Sequence, residues 1–270
     1  MTQPDPFELF ALRYGTHTGR SDADNFDDGD PDAAGSDLDY YIWVARRGDR
    51  VFVIDTGFSD AQARPRGRRL LCAPADGLAA IGIDAARLED VVMTHLHYDH
   101  AGGLEAFPNA RLHLQHTEMA HVTGPAVSHP PPHGAYDGDD IVHVVQQLYA
   151  GRIMFHDGDV QLDPGLTLHL TGGHSAGLQA VRVFTQRGWV VIAGDAAHLY
   201  AHLHDNRVFP VYHDRDTTLD GYRRIIALAE GPDRIIPGHD PLVARLYPEF
   251  ASPRDGKFVR LDKSPFDTPV

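Results

Sequence analysis

The segment from Thr94 to Gly103, THLHYDHAGG, constrains the fold most, because it places three histidines and one aspartate within six residues. It follows an apolar run, Val91 to Met93, that is typical of a buried strand. A helix would spread positions i and i+2 over different faces, whereas a loop at a strand end can turn all four side chains into one cavity. Imidazole and carboxylate suit zinc, and also iron or manganese. Four ligands exceed what one catalytic metal needs beside an open water position, so the segment favours two metals.

Three later segments each place one histidine or aspartate beside glycine, just after an apolar run. They are Gly172-Gly173-His174, Ala193-Gly194-Asp195 and Pro237-Gly238-His239. The edge of a sheet delivers such side chains to a shared cleft. We therefore predict that these three side chains join those of the first segment. Ordinary polar residues at loop ends would explain one histidine, but not seven ligand-type residues in this order.

The order HxHxDH, then a lone histidine, a lone aspartate and a lone histidine, resembles the metallo-β-lactamase-fold hydrolases over roughly residues 38 to 247. The resemblance implies an α+β fold, a four-layer αββα sandwich with metals at one edge. It also implies two divalent metal ions, with Zn²⁺ as the first expectation and iron or manganese as alternatives. The implied ligands are His95, His97 and His174 for one metal, Asp99, His100 and His239 for the other, and Asp195 with a hydroxide as the bridges.

The surrounding residues look most like the N-acyl-homoserine lactonase group and its pyridoxolactonase relatives. The similar segments are HYDHAGG, GGHSAG and GDAA. In that group a tyrosine commonly stands three residues after the bridging aspartate and polarises the lactone carbonyl, and here the position is His198. An imidazole N–H can also donate to a developing oxyanion, so we predict a catalytic role for His198. The alternative is a loop residue that faces water.

The resemblance implies a dinuclear metal hydrolase that opens a lactone by attack of the bridging hydroxide on the carbonyl carbon. Asp99 would then carry a proton to the leaving group. A glyoxalase-II-like thioesterase or a cyclic amide hydrolase would use the same chemistry. An iron-dependent oxygenase and a metal-binding regulatory module without turnover are alternatives of other classes.

Composition limits the partners of this chain. Its 270 residues carry a net charge of −14, which disfavours nucleic acid. No apolar run approaches the roughly 18 residues that a membrane helix needs, and the N-terminus shows no signal-peptide pattern. The one cysteine, Cys72, excludes an internal disulfide and is predicted to be buried. We expect a cytoplasmic enzyme acting on a small molecule, without nucleic acid or membrane partners, and we leave the oligomeric state open, a dimer included.

We predict one domain over residues 1–270, with a core at about 38–247 and a loosely packed tail at 251–270. A helix is expected to begin at a Thr217 cap and to stop at Gly231-Pro232. The proline-rich residues 125–140 are interpreted as a loop beside the cleft that acts as a lid, from which His129 and His133 could reach the site.

Three smaller features of the sequence either allow two interpretations or suggest no specific function. Asp55, in an Asp-Thr-Gly turn, either orients a metal-ligand histidine or only shapes the turn. The basic cluster from Arg64 to Arg69 is interpreted as a solvated loop. Alternation of Tyr200, His202 and His204 is consistent with a cleft wall or with a solvated loop, the latter being preferred for His204.

Overall fold

The structure is a computed structural model that describes residues 3–127 and 134–268. Within these ranges the strands are β1 (Glu8–His17), β2 (Leu38–Arg47), β3 (Arg50–Ile54), β4 (Arg69–Leu70), β5 (Asp90–Val92), β6 (Arg111–Gln115), β7 (Ile153–His156), β8 (Val160–Asp163), β9 (Leu166–Leu170), β10 (Gln179–Thr185), β11 (Gly188–Gly194), β12 (Ile235–Pro237), β13 (Glu249–Ala251) and β14 (Lys257–Arg260). The α-helices of the same ranges are α1 (Asp60–Ala63), α2 (Pro74–Ala80), α3 (Tyr98–Ala101), α4 (His116–Val122), α5 (Gly138–Tyr149), α6 (Tyr200–Asp205), α7 (Arg215–Leu228) and α8 (Pro241–Leu246).

The strands form two sheets. The larger sheet has the order β13-β14-β1-β2-β3-β5-β6-β7, with β4 paired to β1, and the smaller has the order β12-β11-β10-β9-β8. Strands β3, β5, β6 and β7 run parallel to one another. Because the carboxyl ends of parallel strands meet at one edge of a sheet, the segments that follow β3 and β5 lie side by side.

Alternating side chains on the central strands separate three apolar cores. Phe10 and Leu12 of β1 pack with helix residues such as Leu78 of α2, whereas Leu9 and Ala11 face the smaller sheet. A third core joins the outer face of the smaller sheet to α7. The layers are therefore helix, sheet, sheet and helix, which confirms the predicted αββα class. Each buried leucine or phenylalanine contributes about 1.5–3 kcal/mol to the stability of this arrangement.

The end of the described chain corrects the predicted loose tail. Strand β14 pairs antiparallel with β1, and its Phe258 and Val259 are fully buried on opposite faces of the sheet. Leu261 is also buried. Polar and proline residues around the strand suggested weak packing, but β1 would otherwise present unpaired backbone groups at this position, and β14 hydrogen-bonds them.

Helix α7 begins earlier than the predicted Thr217 cap. The cap is Asp214, whose side chain accepts a hydrogen bond at 2.7 Å from the backbone N–H of Thr217. Both residue types favour this position, and an ionised carboxylate also interacts well with the positive end of the helix dipole. Another expectation agrees with the structure, since Cys72 is buried. Across residues 3–127 and 134–268, every helix is too short or too polar to cross a lipid bilayer.

Asp90, at the start of β5, supports the larger sheet through a buried ionic network. Its fully buried carboxylate accepts hydrogen bonds from Arg50 at 2.6 Å and from Arg111 and His113 at 2.9 Å. Burial alone would raise the pKa of Asp90, but the hydrogen bonds from these three side chains lower it well below the usual value. A depressed carboxyl pKa contributes stability above the unfolded-state pKa and loses that contribution as pH falls through the folded-state pKa.

We therefore expect Asp90→Asn to lower the free energy of unfolding at pH 7 by about 1.5–3 kcal/mol, the range for hydrogen bonds to charged groups. The difference from the unmodified protein should shrink as the pH falls below about 4, where the unfolded carboxyl takes up its proton. Urea denaturation of both proteins over this pH range measures the difference in their free energies of unfolding. Asp49→Asn, on the exposed turn between β2 and β3, is the matched control. A difference that is constant with pH would contradict the argument.

Candidate metal centre

The seven candidate ligands come from four segments that follow strand ends. His95 and His97 lie in the segment after β5, and Asp99 and His100 lie on α3. The predicted loop thus contains a short helical turn at residues 98–101. The other three lie after β9, at the end of β11 and after β12. All seven are buried, with exposed fractions of at most 8%.

The structure brings these side chains together in two groups that share one carboxylate. His95, His97, His174 and Asp195 form the first group, and Asp99, His100, Asp195 and His239 form the second. Within each group, one ligand atom from each residue lies within 4.8 Å of all the others. The grouping is the one that the family resemblance implies. Asp195 alone belongs to both, so its two oxygens lie between two adjacent potential cation sites.

The outer hydrogen bonds of three histidines set which ring nitrogen faces the cluster. Nδ1 of His174 donates to the carbonyl oxygen of Val211 at 2.7 Å, and Nδ1 of His239 donates to that of Asp39 at 3.0 Å. Nδ1 of His100 donates to the Asp55 carboxylate at 2.7 Å. In a neutral ring the proton is therefore on Nδ1, and the Nε2 lone pair is directed inward.

These inward-directed lone pairs give the cluster ligand atoms that suit a cation. Nε2 of His239 and Nε2 of His100 lie 3.0 and 3.1 Å from the same Asp195 oxygen, Oδ1, and a lone pair repels a carboxylate unless a positive charge lies between them. Within the described residues, Nε2 of His95 and of His100 are buried without a hydrogen-bond partner. Buried polar atoms are normally paired, so the cluster needs a positive charge between these atoms, either a bound cation or, in its absence, a proton.

Burial and neighbouring charges shift the pKa values of the cluster histidines in different directions. Burial, with smaller effects from neighbouring histidines, lowers the pKa of His95 and His97 well below 6.5, which keeps these rings neutral. Burial also acts against protonation of His100 and His239, but Asp195 and other carboxylates outweigh it and raise both pKa values. The pKa of Asp195 is well below 3.8 because the surrounding histidines overcome the effect of burial. Without a metal the ionised Asp195 therefore favours protons on His100 and His239, and a bound cation would displace those protons, whereas His95 and His97 are already neutral.

Asp55 resolves the choice between the two interpretations of the Asp-Thr-Gly turn. Its carboxylate accepts hydrogen bonds from the Thr94 amide at 2.7 Å, the Thr94 hydroxyl at 2.8 Å and His100 Nδ1. The residue also has a left-handed backbone, with φ of 62°. It therefore does both: it shapes the turn after β3 and orients a candidate ligand.

Asp55→Asn should weaken metal affinity about 10- to 100-fold, the usual effect of losing an outer partner of a ligating histidine. Asparagine is the suitable replacement because it tolerates the left-handed backbone, so the change isolates the loss of charge. Competition with a metal-chelating dye measures the affinity. Asp84→Asn is the control, because the Asp84 side chain accepts a hydrogen bond at 3.0 Å from a backbone N–H at the surface. Equal affinities in all three proteins would show that Asp55 only shapes the turn.

Glu118 on α4 connects two ligand-bearing segments, although no sequence motif pointed to this residue. Its fully buried carboxylate accepts hydrogen bonds from the Leu96 amide at 3.0 Å and from the Ser175 hydroxyl and the Gly177 amide at 2.8 Å. A Cβ at Gly177 would lie 2.3 Å from the Glu118 nitrogen, so only glycine allows this approach. The one usable signal was an acidic residue early in a predicted helix, which helix capping explains equally well.

A cavity of about 290 Å³ opens onto the cluster. His198 lines it, is 3% exposed, and has Nε2 at 3.2 Å from Asp195 Oδ2. Phe209 stacks on the His198 ring with 3.6 Å between centroids. Asp99 also lines the cavity, and Tyr14 donates a hydrogen bond to its backbone carbonyl at 2.7 Å. The predicted water-facing alternative for His198 is therefore wrong.

Other predicted neighbours lie elsewhere. Tyr200, His202 and His204 are on helix α6 rather than in an extended segment, and none of the three is among the described residues that line the cavity. His202 is fully buried and contacts the carbonyl oxygen of Asn25 at 2.9 Å, whereas His204 is exposed, as expected. His129 and His133, with the centre of the predicted lid, lie outside the described residues.

The sandwich carries, at a sheet edge, two adjacent groups of buried residues that could each hold a metal ion. The chain belongs to the metallo-beta-lactamase superfamily, whose family model matches residues 36–239. That match confirms the family suggested by the HxHxDH pattern.

Several relatives are N-acyl homoserine lactonases. The enzyme of Bacillus thuringiensis is 29% identical over 179 residues, covering 64% of this chain and 65% of the relative. N-acyl homoserine lactonase AttM of Agrobacterium fabrum (strain C58) is 28% identical over 169 residues, covering 62% and 63%. The chain thus spans less than two thirds of the length of these curated relatives.

Solved structures show the same fold at lower identity. A quorum-quenching N-acyl homoserine lactone lactonase superposes with a TM-score of 0.74 at 21% identity, covering 89% of this chain and 95% of that one. AidC, a dizinc quorum-quenching lactonase, gives a TM-score of 0.68 at 17% identity, covering 96% and 95%. These similarities establish the architecture around the centre.

Proposed function

We propose that this chain is a dinuclear metal-dependent hydrolase that opens a cyclic ester, a lactone. The observation that carries the proposal is Asp195, whose carboxylate is shared by two ligand groups beside an open cavity. Family membership and the lactonases among the relatives support the reaction class. A buried cluster of this composition has no structural need for so many ligand atoms, whereas ester hydrolysis has a direct use for two adjacent cations.

We propose Zn²⁺ as the ion, since imidazole and carboxylate ligands suit it and one neighbouring fold belongs to a dizinc lactonase. His95, His97 and His174 would hold one ion, Asp99, His100 and His239 the other, and Asp195 both. When bound, such ions supply Lewis acidity and a water that loses its proton near neutral pH.

The side chains around the centre have distinct proposed roles. His198, held against Phe209 and directed toward Asp195, has an N–H available to stabilise negative charge that develops on the substrate carbonyl oxygen. The Asp99 carboxylate, which lines the same cavity, would carry a proton to the ring oxygen as that oxygen leaves. His198 would thus replace, with an N–H donor, the O–H donor of the tyrosine common in the lactonase group.

The cavity favours a small-molecule substrate. Its volume of about 290 Å³ lies at the lower end of the range for ligand pockets, and its wall combines apolar side chains such as Leu38 and Phe209 with the polar centre. We propose no nucleic-acid partner, because the net charge of −14 repels phosphate. A cytoplasmic location, with Cys72 as a reduced thiol, is part of the same proposal.

A substrate panel tests the proposal. Protein loaded with zinc, manganese or iron is assayed on γ-lactones, thioesters and β-lactams, with oxygen consumption followed in parallel. We expect lactone opening to exceed thioester and β-lactam hydrolysis by at least about tenfold in kcat/KM, and to disappear on chelation. Faster thioester hydrolysis would point to the glyoxalase-II-like alternative, and oxygen consumption by the iron form would point to an oxygenase.

A further inference from the structure

Within the described residues, two arginines that line the cavity lack the ion pairs that many other arginines of this acidic chain form. Arg47, Arg50 and Arg207, for example, each lie within 3.0 Å of a carboxylate oxygen. Arg20 and Arg68 line the cavity above the centre. In residues 3–127 and 134–268, neither of them has a carboxylate oxygen within 4.0 Å. The predicted solvated loop at residues 64–69 is therefore wrong for Arg68, which is half-buried at the candidate site.

His17 lies between these two guanidinium groups. Its Nδ1 is 2.9 Å from Arg20 Nη1, and its Nε2 is 3.2 Å from Arg68 Nη1. Burial and the two positive charges lower the pKa of His17 to about 4, so the ring is neutral at pH 7. A neutral imidazole has one acceptor nitrogen and one N–H. One arginine can donate to the ring, while the other faces an N–H and has an unused donor there.

Neutral groups hold both guanidiniums in place. Arg20 donates to the Asn25 side-chain oxygen at 2.7 Å, and Arg68 Nε donates to the Tyr98 hydroxyl at 3.2 Å. The nearby Asp24 carboxylate accepts its hydrogen bonds from the amide and hydroxyl of Ser21, at 2.8 and 3.0 Å. These contacts orient the arginines without a direct ion pair among the described residues, and the Asp24 and Asp99 carboxylates act on Arg20 and Arg68 only from a longer distance. Two partly buried cations that share one histidine repel each other unless an anion joins them.

The negative charge of the whole protein argues for a specific role of these two arginines. A net charge of −14 opposes the approach of anions, and a neutral lactone would gain little from two unpaired guanidiniums. Guanidinium groups match the geometry of a carboxylate and bind it with charge-assisted hydrogen bonds. The Arg20 group also lies over Phe209, 5.8 Å from the ring centroid, and Phe209 stacks on His198. An anion bound there would therefore be adjacent to the wall of the reaction site.

We infer that Arg20, His17 and Arg68 form a binding site for a carboxylate carried by the substrate, so that the preferred substrate is an anionic cyclic ester. The carboxylate belongs to a part of the molecule other than the ester that is opened. This inference rests on the proposed function, because it assigns the substrate class of the same cavity. It departs from the plain acyl chain of an N-acyl homoserine lactone, which carries no charge.

Matched pairs of lactones test the site in the metal-loaded protein. Homoserine lactone is acylated with succinate, glutarate or adipate, which places a carboxylate at three distances, and each is compared with its terminal primary amide of the same shape. We expect at least one acid to exceed its amide about 10- to 100-fold in kcat/KM, the range for charge-assisted hydrogen bonds. Arg20→Gln and Arg68→Gln should each remove most of that preference, with kcat/KM for the acid falling far more than kcat/KM for its amide. Arg87→Gln, an exposed arginine outside the cavity, should change neither rate.

Calorimetric binding of the ring-opened acids and amides to the same proteins gives a readout without turnover. The unmodified protein should bind the preferred acid about 10- to 100-fold more tightly than its amide, and the two cavity variants should not. Equal binding of acid and amide by the unmodified protein would overturn the inference, whether or not lactones are hydrolysed. Preferential binding of the acid without hydrolysis of any lactone would instead overturn the proposed function and leave the anion site standing.

Discussion

Replacing Asp195 with alanine should remove both metal ions together, not one of them. Asp195 is the only residue that belongs to both ligand groups of the described chain. Its Oδ1 lies 3.0 Å from Nε2 of His239, and its Oδ2 lies 3.2 Å from Nε2 of His174. Loss of one partner from a buried charged pair costs roughly 3–5 kcal/mol, which corresponds to about 10²- to 10⁴-fold in affinity or rate. We expect a decrease of that size in metal affinity and in lactone turnover.

Metal stoichiometry by elemental analysis, combined with turnover, measures this effect. Asp195→Asn serves as the second variant, because it preserves the shape of the side chain and separates the loss of charge from the loss of volume. Asp157→Ala, at a carboxylate whose side chain is 88% exposed, is the control and should retain both ions. A variant at Asp195 that keeps one ion at full affinity would show that the two sites are independent and that the shared-carboxylate argument is wrong.

His198→Ala should lower kcat by about 10²- to 10³-fold, the usual effect of removing one oxyanion donor, while the metal content stays unchanged. His198 is outside both ligand groups, although its Nε2 approaches Asp195 at 3.2 Å. Its loss therefore removes an N–H donor from the cavity wall without removing a ligand. His198→Gln retains a side-chain N–H and should recover part of the rate.

Pre-steady-state measurement of lactone opening, with elemental analysis of each variant, tests this role. His204→Ala, on the exposed side of α6, is the matched control and should behave like the unmodified protein. If the alanine variant at position 198 keeps full turnover, His198 has no part in the reaction. If it loses metal along with turnover, its role is to position Asp195 and not to act on the substrate.

Much of the fold was predictable from the periodicity of the chain. Strands such as β9 and β11 coincide with their apolar runs, and the family pattern correctly implied four layers. The errors have physical causes. Strand β14 was missed because its pairing partner, β1, is about 250 residues away along the chain, and its polar flanks say nothing of that partner. Helix α6 was not predicted, because a short segment with polar residues has no clear period.

The candidate ligands were visible early because each stands in a short motif beside glycine after an apolar run. Their outer contacts were not visible in this way. Glu118 accepts hydrogen bonds from segments that lie both before and after it in the chain, and nothing in its local sequence distinguishes it from a surface acid. Asp55 was ambiguous for the same reason, since its choice of role depends on where His100 lies.

The sequence by itself determined which side chains can bind metal and the order in which they occur, because ligand chemistry and strand-end position are local properties. Only the tertiary structure decided that Asp195 belongs to two ligand groups and that His198 lines the cavity. It also decided that Arg20 and Arg68 line the same cavity without an ion pair to a carboxylate of the described residues. Those relations depend on distances between segments far apart in the chain, which packing of the two sheets sets. From the sequence, Arg68 could not be distinguished from a solvated surface arginine, because its contacts His17 and Tyr98 lie in distant segments of the chain.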